Sequence, residues 1–361
     1  MIRDPSPVIR HENPSQPSRV TRHGRICVIE GDGIGHEVTP VAVEVLQATA
    51  PDLEFISAEA GWECFLRRGV PIPEETWEVI ERADGILFGA ISAPPEPPPG
   101  YRAVIITLRQ RLNLFANLRP AASPPIPGFR QGVDLLIVRE NTEGLYVGKE
   151  RSDGEVAVAE RIITRAASER IAHLAFRLAQ KRRRKVTVVH KANVLPKTCG
   201  LFRGAAFSAA ADYPGVEVEE MLVDAMAMWL AKSPERFDVV LTPNLFGDIL
   251  SDEASVWAGG LGMAPSLNLG EGVALAEPVH GSAPDIAGKG IANPIGAVLS
   301  GAMLLRYHLG REEEAALVEE AVRRVLAEGL RTPDLPGDRP PVRTEELGRA
   351  LLTRLKELTW G

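Results

Sequence analysis

Cysteine is scarce in this chain: Cys27, Cys64 and Cys199 are the only three among 361 residues. Their number is odd and no pair has the spacing of a metal clip, so neither a disulfide framework nor a zinc site is implied, and a reducing cytoplasm is the expected setting. Long apolar runs are lacking too. No stretch reaches the roughly 18 residues that a membrane-spanning helix needs. Met1 to Arg22 is polar and proline-bearing with no hydrophobic signal core, so residues 1–22 are expected to form a flexible extension. Nor is there an excess of positive charge. A net charge of −7 disfavours tracking of phosphates or anionic lipid, which removes nucleic acid and membrane from the expected partners.

What is present is an ordinary globular composition, in a chain long enough for two domains or one large α/β unit. Short apolar strands are expected at 25–30, 53–56, 85–88, 133–138, 186–189 and 239–241, alternating with helical patterns at 37–49, 166–180, 293–308, 311–327 and 344–357. That alternation is the pattern of an α/β fold. Proline clusters at 94–99 and 124–127 mark stiff loops. The basic run from Lys181 to Lys185 reads as a solvated helix C-terminus.

Three segments draw chemical interest. Asp248 and Asp252 lie one helical turn apart just after the strand at 239–241 and point the same way, which makes half a cage for a hard cation; a helix cap beside a surface charge fits the same spacing. Gly31-Asp-Gly33-Ile-Gly35 follows a strand and precedes a helix, but its third glycine falls one residue early for a Rossmann fingerprint, and a tight turn explains it equally well. The loop at 277–294 carries His280, Asp285 and Asn293 in 18 residues, and long loops this rich in special residues are usually functional.

Taken together in order, Gly31 to Gly35, Leu108-Arg109, Asn117-Leu-Arg119-Pro, Arg139-Glu-Asn-Thr-Glu-Gly-Leu-Tyr146, His190-Lys191-Ala-Asn193, Asp224, Asp248, Asp252 and the 277–294 loop resemble the β-decarboxylating dehydrogenases, which act on isocitrate, 3-isopropylmalate or homoisocitrate. The resemblance runs from about Arg25 to Glu357. It implies an α/β, isopropylmalate dehydrogenase-like fold of two domains sharing a large mixed sheet, not a Rossmann fold. Residues 23–105 and 259–361 would form the first, cofactor-side domain, and 106–258 the second, with a dimer interface. The family's active sites borrow groups from a partner subunit, so a homodimer is expected, with a tetramer left open.

The resemblance also distributes roles. Arg109, Arg119 and Arg139 match arginines that fork onto substrate carboxylates, and Asn193 is expected to steer the substrate or the nicotinamide. Ser92, an available hydroxyl in the 91–106 region that the distal end of the substrate must meet, is a further expected substrate contact. Asp224, Asp248 and Asp252 match the ligands of a magnesium or manganese ion, Asp224 entering from the other subunit. Lys191, also from the partner, matches the base that takes the hydroxyl proton, and Tyr146 the acid that reprotonates the enol carbon. His280, Gly281, Ser282, Ala283, Asp285, Ile286 and Asn293 match the cofactor loop. An acid at 285 repels a 2′-phosphate, so NAD is expected over NADP.

Substrate choice is argued within the family. Segments 193–202, 59–63 and 259–265 look like those of homoisocitrate and isocitrate users, whereas Ile105-Ile106 resembles the paired leucines of isopropylmalate users. Homoisocitrate, oxidised to 2-oxoadipate in the aminoadipate route to lysine, is the expectation; 3-isopropylmalate and then isocitrate are the alternatives. A non-catalytic regulatory subunit is the competing class, and the presence of Lys191, Tyr146 and all three aspartates speaks against it.

Overall fold

The structure, a computed structural model, describes residues 24–360 apart from 93, 95, 97, 99 and 100. The extension expected at 1–22 and part of the 94–99 proline cluster therefore lie outside the described residues. The first third runs β1 (Arg25–Gly31), α1 (Gly35–Thr49), β2 (Glu54–Ser57), α2 (Trp62–Arg68), α3 (Glu74–Glu81), β3 (Gly85–Ala90) and α4 (Val104–Arg111). The middle runs β4 (Ala116–Ala122), β5 (Asp134–Glu140), the small hairpin β6 (Glu150–Ser152) and β7 (Ala157–Ala159), α5 (Arg165–Gln180), β8 (Lys185–His190), α6 (Thr198–Ala210), β9 (Glu217–Leu222), α7 (Val223–Lys232), β10 (Val239–Thr242) and α8 (Asn244–Ala258). The chain closes with β11 (Pro265–Leu269), β12 (Ala274–Pro278), α9 (Ile295–Tyr307), α10 (Glu312–Ala327) and α11 (Thr344–Trp360). No helix among the described residues is long and apolar enough to cross a membrane.

Ten strands form one mixed sheet in the order β2-β1-β3-β12-β11-β4-β5-β10-β8-β9. Both outer parts are parallel, and the centre, β12-β11-β4-β5, is antiparallel. The parallel strands read as continuous apolar runs because helices cover both of their faces, as Val186-Thr-Val-Val189 and Ile26-Cys-Val-Ile29 do here.

The two faces of the sheet are filled differently. On one, a single core joins α1, α5, α6, α9, α10 and α11, with Phe176, Phe202, Leu46 and Leu304 fully buried. On the other, two cores stand apart. Trp77, Ile80, Val104 and Leu108 pack over Ile29, Phe88 and Leu275, while Met226, Leu230, Leu250 and Ala254 pack over Ala121, Leu135 and Ile137. Between them the central strands are left without a helical cover, and that gap is the cleft.

Several elements depart from expectation. β4, β9, β11 and β12 were not legible, because β4 carries Asn117, Arg119 and Pro120, β11 carries Ser266 and Asn268, and β9 is an edge strand rich in glutamate. The basic run is not simply a solvated helix end. α5 stops at Gln180; Arg182 then bridges Asp134 and the fully buried Asp238 at 2.7 and 2.8 Å, and Lys185 opens β8 paired with Glu219 at 3.0 Å. These cations neutralise carboxylates at the strand starts, where an unpaired buried Asp238 would be costly.

Candidate active site

Side chains alternate across a strand, so residues paired directly opposite share a face. Asn117 pairs with Arg139 on β5 and with Asn268 on β11, and Ser266 pairs with Glu277 on β12. Arg119 lies two residues beyond Asn117. Six polar residues on four adjacent strands thus form a polar floor exactly where the helical cover is missing. Above it lies a cavity of about 230 Å3 whose walls include Arg109, Arg119, Arg139, Tyr146, Asp248 and Glu277, closed on one side by Ile91 and Ile105. A larger cavity of about 340 Å3 on the opposite face is lined by Pro120, Met303 and Tyr307 and also carries charged residues, but its arginines serve ion pairs at the rim, Arg182 with Asp134 and Asp238, Arg306 with Glu312 and Glu319, and Arg323 with Glu320.

Helix α8 supplies the acids. Asn244, buried at its first turn, accepts from Arg139 Nε at 2.9 Å and donates to the carbonyl of Glu143 at 3.1 Å, tying the helix start to β5 and to the segment that follows it. Gly247 lets the helix lie against the arginine: a Cβ there would stand 2.7 Å from Arg139 Cβ. Asp248 then receives Arg139 Nη1 at 2.5 Å, Arg119 Nη1 at 3.5 Å and the hydroxyl of Tyr146. Asp252, one turn on, receives Arg119 Nη1 at 3.0 Å. The charges flanked by Leu245, Phe246, Ile249 and Leu250 are compensated by arginines; Ile249 itself faces outward and is exposed.

These contacts set the protonation states. Burial pushes the Asp248 carboxyl up, but the charges of Arg139, Arg119 and Arg109 with the Tyr146 hydrogen bond outweigh it and hold it below the usual carboxylate range. Asp252 moves the other way, raised by burial that Arg119 only partly offsets. Burial, and then the bond to Asp248, raises the Tyr146 phenol and keeps its proton on at neutral pH. Burial, and then the neighbouring charges of Arg109 and Arg119, lower Arg139.

The 277–294 loop rests on the glycine-rich turn. Ile34 N donates to Ser282 O at 2.9 Å, Gly288 N to Glu37 Oε1 at 2.7 Å, and a Cβ on Gly33 would lie 2.3 Å from Ser282 O. The amide that a Rossmann turn would offer to a pyrophosphate is thereby engaged by the loop's own carbonyl. Within the loop, Ser282 and Asn293 are buried, Asn293 donating to Asp334 at 3.0 Å, whereas Asp285 is exposed. Burial depresses the His280 imidazole. Ser92 does not line the cavity; its hydroxyl donates to Ser282 Oγ at 2.8 Å and its amide to the buried Asp32 at 2.8 Å.

Residues 25–351 match the profile of the isocitrate/isopropylmalate dehydrogenase family. The chain belongs to this family. It is 56% identical over 335 residues to the isocitrate/homoisocitrate dehydrogenase of Thermus thermophilus, covering 92% of this chain and 99% of that one. It is 52% identical over 315 residues to the 3-isopropylmalate dehydrogenase of Methanothermobacter thermautotrophicus, with 87% and 94% covered. Among solved structures, isocitrate dehydrogenase from Methylococcus capsulatus superposes with a TM-score of 0.87 at 43% identity over 92% of this chain and 99% of that one. As a member of the isocitrate/isopropylmalate dehydrogenase family, the chain is a β-decarboxylating hydroxy-acid dehydrogenase, and the two-domain α/β fold with a large mixed sheet is the family's own.

Within this family member the expected site residues fall into separate places. Arg109, Arg119, Arg139, Tyr146, Asp248 and Asp252 meet at the cleft. Lys191, Asn193 and Asp224 do not line its cavity: Lys191 donates to Asp224 at an exposed edge formed by the end of β8 and the start of α7, and Asn193 is exposed beside them. Sequence reading passed over Glu277, Asn117, Asn268, Asn244 and Asp32. A signal existed for some of them, since Asn117 and Asn268 interrupt otherwise apolar strands. Ile105, rather than Ile106, faces the cavity, while Ile106 is exposed.

Proposed function

We propose that the chain oxidatively decarboxylates homoisocitrate to 2-oxoadipate with NAD and a magnesium or manganese ion, in the aminoadipate route to lysine. The convergence of Arg109, Arg119 and Arg139 with Tyr146 and Asp248 on one small cavity carries this reading. In the single chain Glu277 partners Arg109, and Asp248 and Asp252 partner Arg119 and Arg139; a cation taken by the two aspartates would release those guanidiniums for an anion, and a hydroxy acid with two adjacent carboxylates is an anion of the form that such forks bind.

Asp248 and Asp252 provide the carboxylate oxygens that a hard cation takes, but among the described residues no third such group converges with them. Asp224 of a second copy would complete the set, with Lys191 alongside. Exposed Val194, Met228, Ile249 and Val256, on the 191–195 turn, α7 and α8, support a second copy covering this side. When bound, the ion would supply Lewis acidity at the substrate hydroxyl, and NAD would supply a hydride acceptor. The arginines hold the carboxylates in place, Lys191 Nζ of the second copy accepts the hydroxyl proton, and Tyr146 Oη, held beside Asp248, donates to the carbon that carbon dioxide leaves. The same reading divides the chain into a first domain of 23–105 and 259–361 and a second of 106–258.

The distal end of the substrate decides among candidates. Ile91 and Ile105 suit an apolar end, but Arg102 just ahead of α4 is exposed with no acidic partner among the described residues, and Tyr101, wedged edge-on against Trp62 and Phe65, donates to Ser92 O at 3.3 Å. A long third carboxylate can pass Ile105 toward Arg102. Steady-state kinetics with homoisocitrate, 3-isopropylmalate and isocitrate, each with NAD and NADP, tests this: homoisocitrate with NAD is expected to give the highest kcat/KM. A higher value for 3-isopropylmalate would overturn the substrate assignment, and no magnesium-dependent turnover of any of the three would restore the regulatory-subunit alternative.

A further inference from the structure

Behind Arg109 stands a line of buried amides that the chemistry so far leaves unused. Arg109 has one carboxylate partner among the described residues, Glu277, which accepts from its Nη2 at 2.9 Å. The same oxygen, Glu277 Oε1, accepts from Asn268 Nδ2 at 2.8 Å. Asn268 Oδ1 accepts in turn from Asn117 Nδ2 at 3.0 Å and from Asn141 Nδ2 at 2.9 Å. Asn117 also donates to Ser266 Oγ at 2.7 Å and Asn141 to Leu114 O at 3.0 Å.

The orientation of Asn268 is forced. Its Nδ2 faces two groups that only accept, the Glu277 carboxylate and the Leu275 carbonyl at 3.2 Å, so its oxygen must face the neighbouring amides. Asn117 and Asn268 are fully buried and sit directly opposite each other on β4 and β11, at the seam where the two parts of the sheet meet. Stability alone gives no reason for this arrangement: Asn117 Oδ1 and Asn141 Oδ1 are buried without a partner among the described residues, and apolar side chains at these positions would avoid that cost.

We propose that Asn268 is a positioning residue: by donating to Glu277 it fixes the carboxylate that holds the Arg109 guanidinium at the cleft, so the substrate-binding position of Arg109 is set from β11. The proposal rests on Arg109 being a substrate arginine. Asparagine is the residue this job needs. Serine is too short to span from β11 to both Glu277 and the amides, and an acid would set two carboxylates against each other.

That last point supplies the test. In Asn268→Asp the new carboxyl faces Glu277 from β12, Arg109 from α4 behind it and Arg119 from β4, while Asn117, Asn141 and Ser266 do not titrate. Two carboxyls in contact share a proton, which therefore persists above the ordinary carboxylate range. At about pH 6 the shared proton does the work of the amide; at about pH 8.5 it is lost and Glu277 is driven from Arg109. The variant's KM for the hydroxy acid is expected to lie within about twofold of wild type at the lower pH and to rise about tenfold relative to it at the higher, with kcat changing far less, the pattern of a lost binding interaction. Asn268→Leu, similar in volume and uncharged, is expected to show the raised KM at both pH values and serves if the acid variant does not fold. Crystal structures of both variants give a readout independent of turnover: the Arg109–Glu277 contact should break in Asn268→Leu and, at the higher pH, in Asn268→Asp. Persistence of that contact in Asn268→Leu, or a KM that follows wild type at both pH values in both variants, overturns the proposal. Absence of turnover by wild type with any of the three substrates would instead sink the function, and the crystal structures would still decide the role of Asn268.

Discussion

A glycine does as much for this cleft as any charged residue. Gly247 leaves room for Arg139 to lie flat against α8, and the atoms a methyl would meet are the Cβ and Cγ of a fully buried side chain, which have no way to move aside. Gly247→Ala is expected to displace the Arg139 guanidinium from Asp248 and Asn244, lowering kcat/KM by about 10²-fold, the penalty of roughly 1 Å misplacement at a reacting centre; kinetics near wild type would show that α8 yields instead. At the cofactor loop, Asp285 is exposed and Ile286 packs inward. Asp285→Lys should shift the NAD to NADP ratio of kcat/KM toward NADP, and an unchanged ratio would remove charge repulsion as the basis of cofactor choice. His36 couples to the same region. Its two ring nitrogens meet Glu30 at 2.8 Å and Glu63 at 3.1 Å, and Glu63 also accepts from Gly33 N at 3.0 Å. Burial pulls the imidazole down, but the two carboxylates outweigh it and raise it above 6.5. A raised histidine stabilises fully below its unfolded value near 6.5, and that contribution fades as pH climbs through the folded value. Because the side chain is about half exposed, the effect should be below about 1 kcal/mol. Denaturant titrations at about pH 6 and pH 8.5 should show the loss in wild type and not in His36→Gln.

The elements follow from where apolar residues alternate and where they do not. Each core strand and helix contributes through packing, and Phe176 of α5 is a clear case, fully buried and stacked on Tyr213 at 5.4 Å. Phe176→Ala is expected to cost about 3–5 kcal/mol of unfolding free energy by denaturant titration; a loss under about 1 kcal/mol would mean that the core around α5 collapses into the space. Most of the parallel strands and five of the long helices were legible, since burial on both faces gives continuous apolar runs and amphipathic helices repeat every three to four residues. The antiparallel centre was legible only in β5. β4, β11 and β12 put Asn117, Arg119, Ser266, Asn268 and Glu277 on the part of the face left open between the two helical cores, so they lack the apolar run that marks a buried strand and were passed over. The same residues form the site floor, which means that function obscured the fold at the place where function resides. The segments that carried the family resemblance made Arg109, Arg119, Arg139, Tyr146, Asp248 and Asp252 legible one by one. Their convergence needed the sheet order, and Asn268 and Glu277 needed the hydrogen bonds.

At the scale of the molecule, two groups of residues expected to act together stand apart in a single chain. Arginines, tyrosine and two aspartates line the cleft, whereas Lys191 and Asp224 sit at an exposed edge among outward-facing apolar side chains. If the working unit is a dimer with exchanged groups, the defect of one chain can be supplied by another. Lys191→Ala and Tyr146→Phe should each abolish turnover as purified homodimers. Unfolding the two variants together and refolding them makes mixed dimers, in which one of the two sites receives Tyr146 from one chain and Lys191 from the other, both intact. The account predicts recovery of about a quarter of wild-type activity, since half the dimers are mixed and half their sites are whole. Activity no higher than that of the separately refolded variants would contradict it and place Lys191 and Tyr146 in the site of one and the same chain.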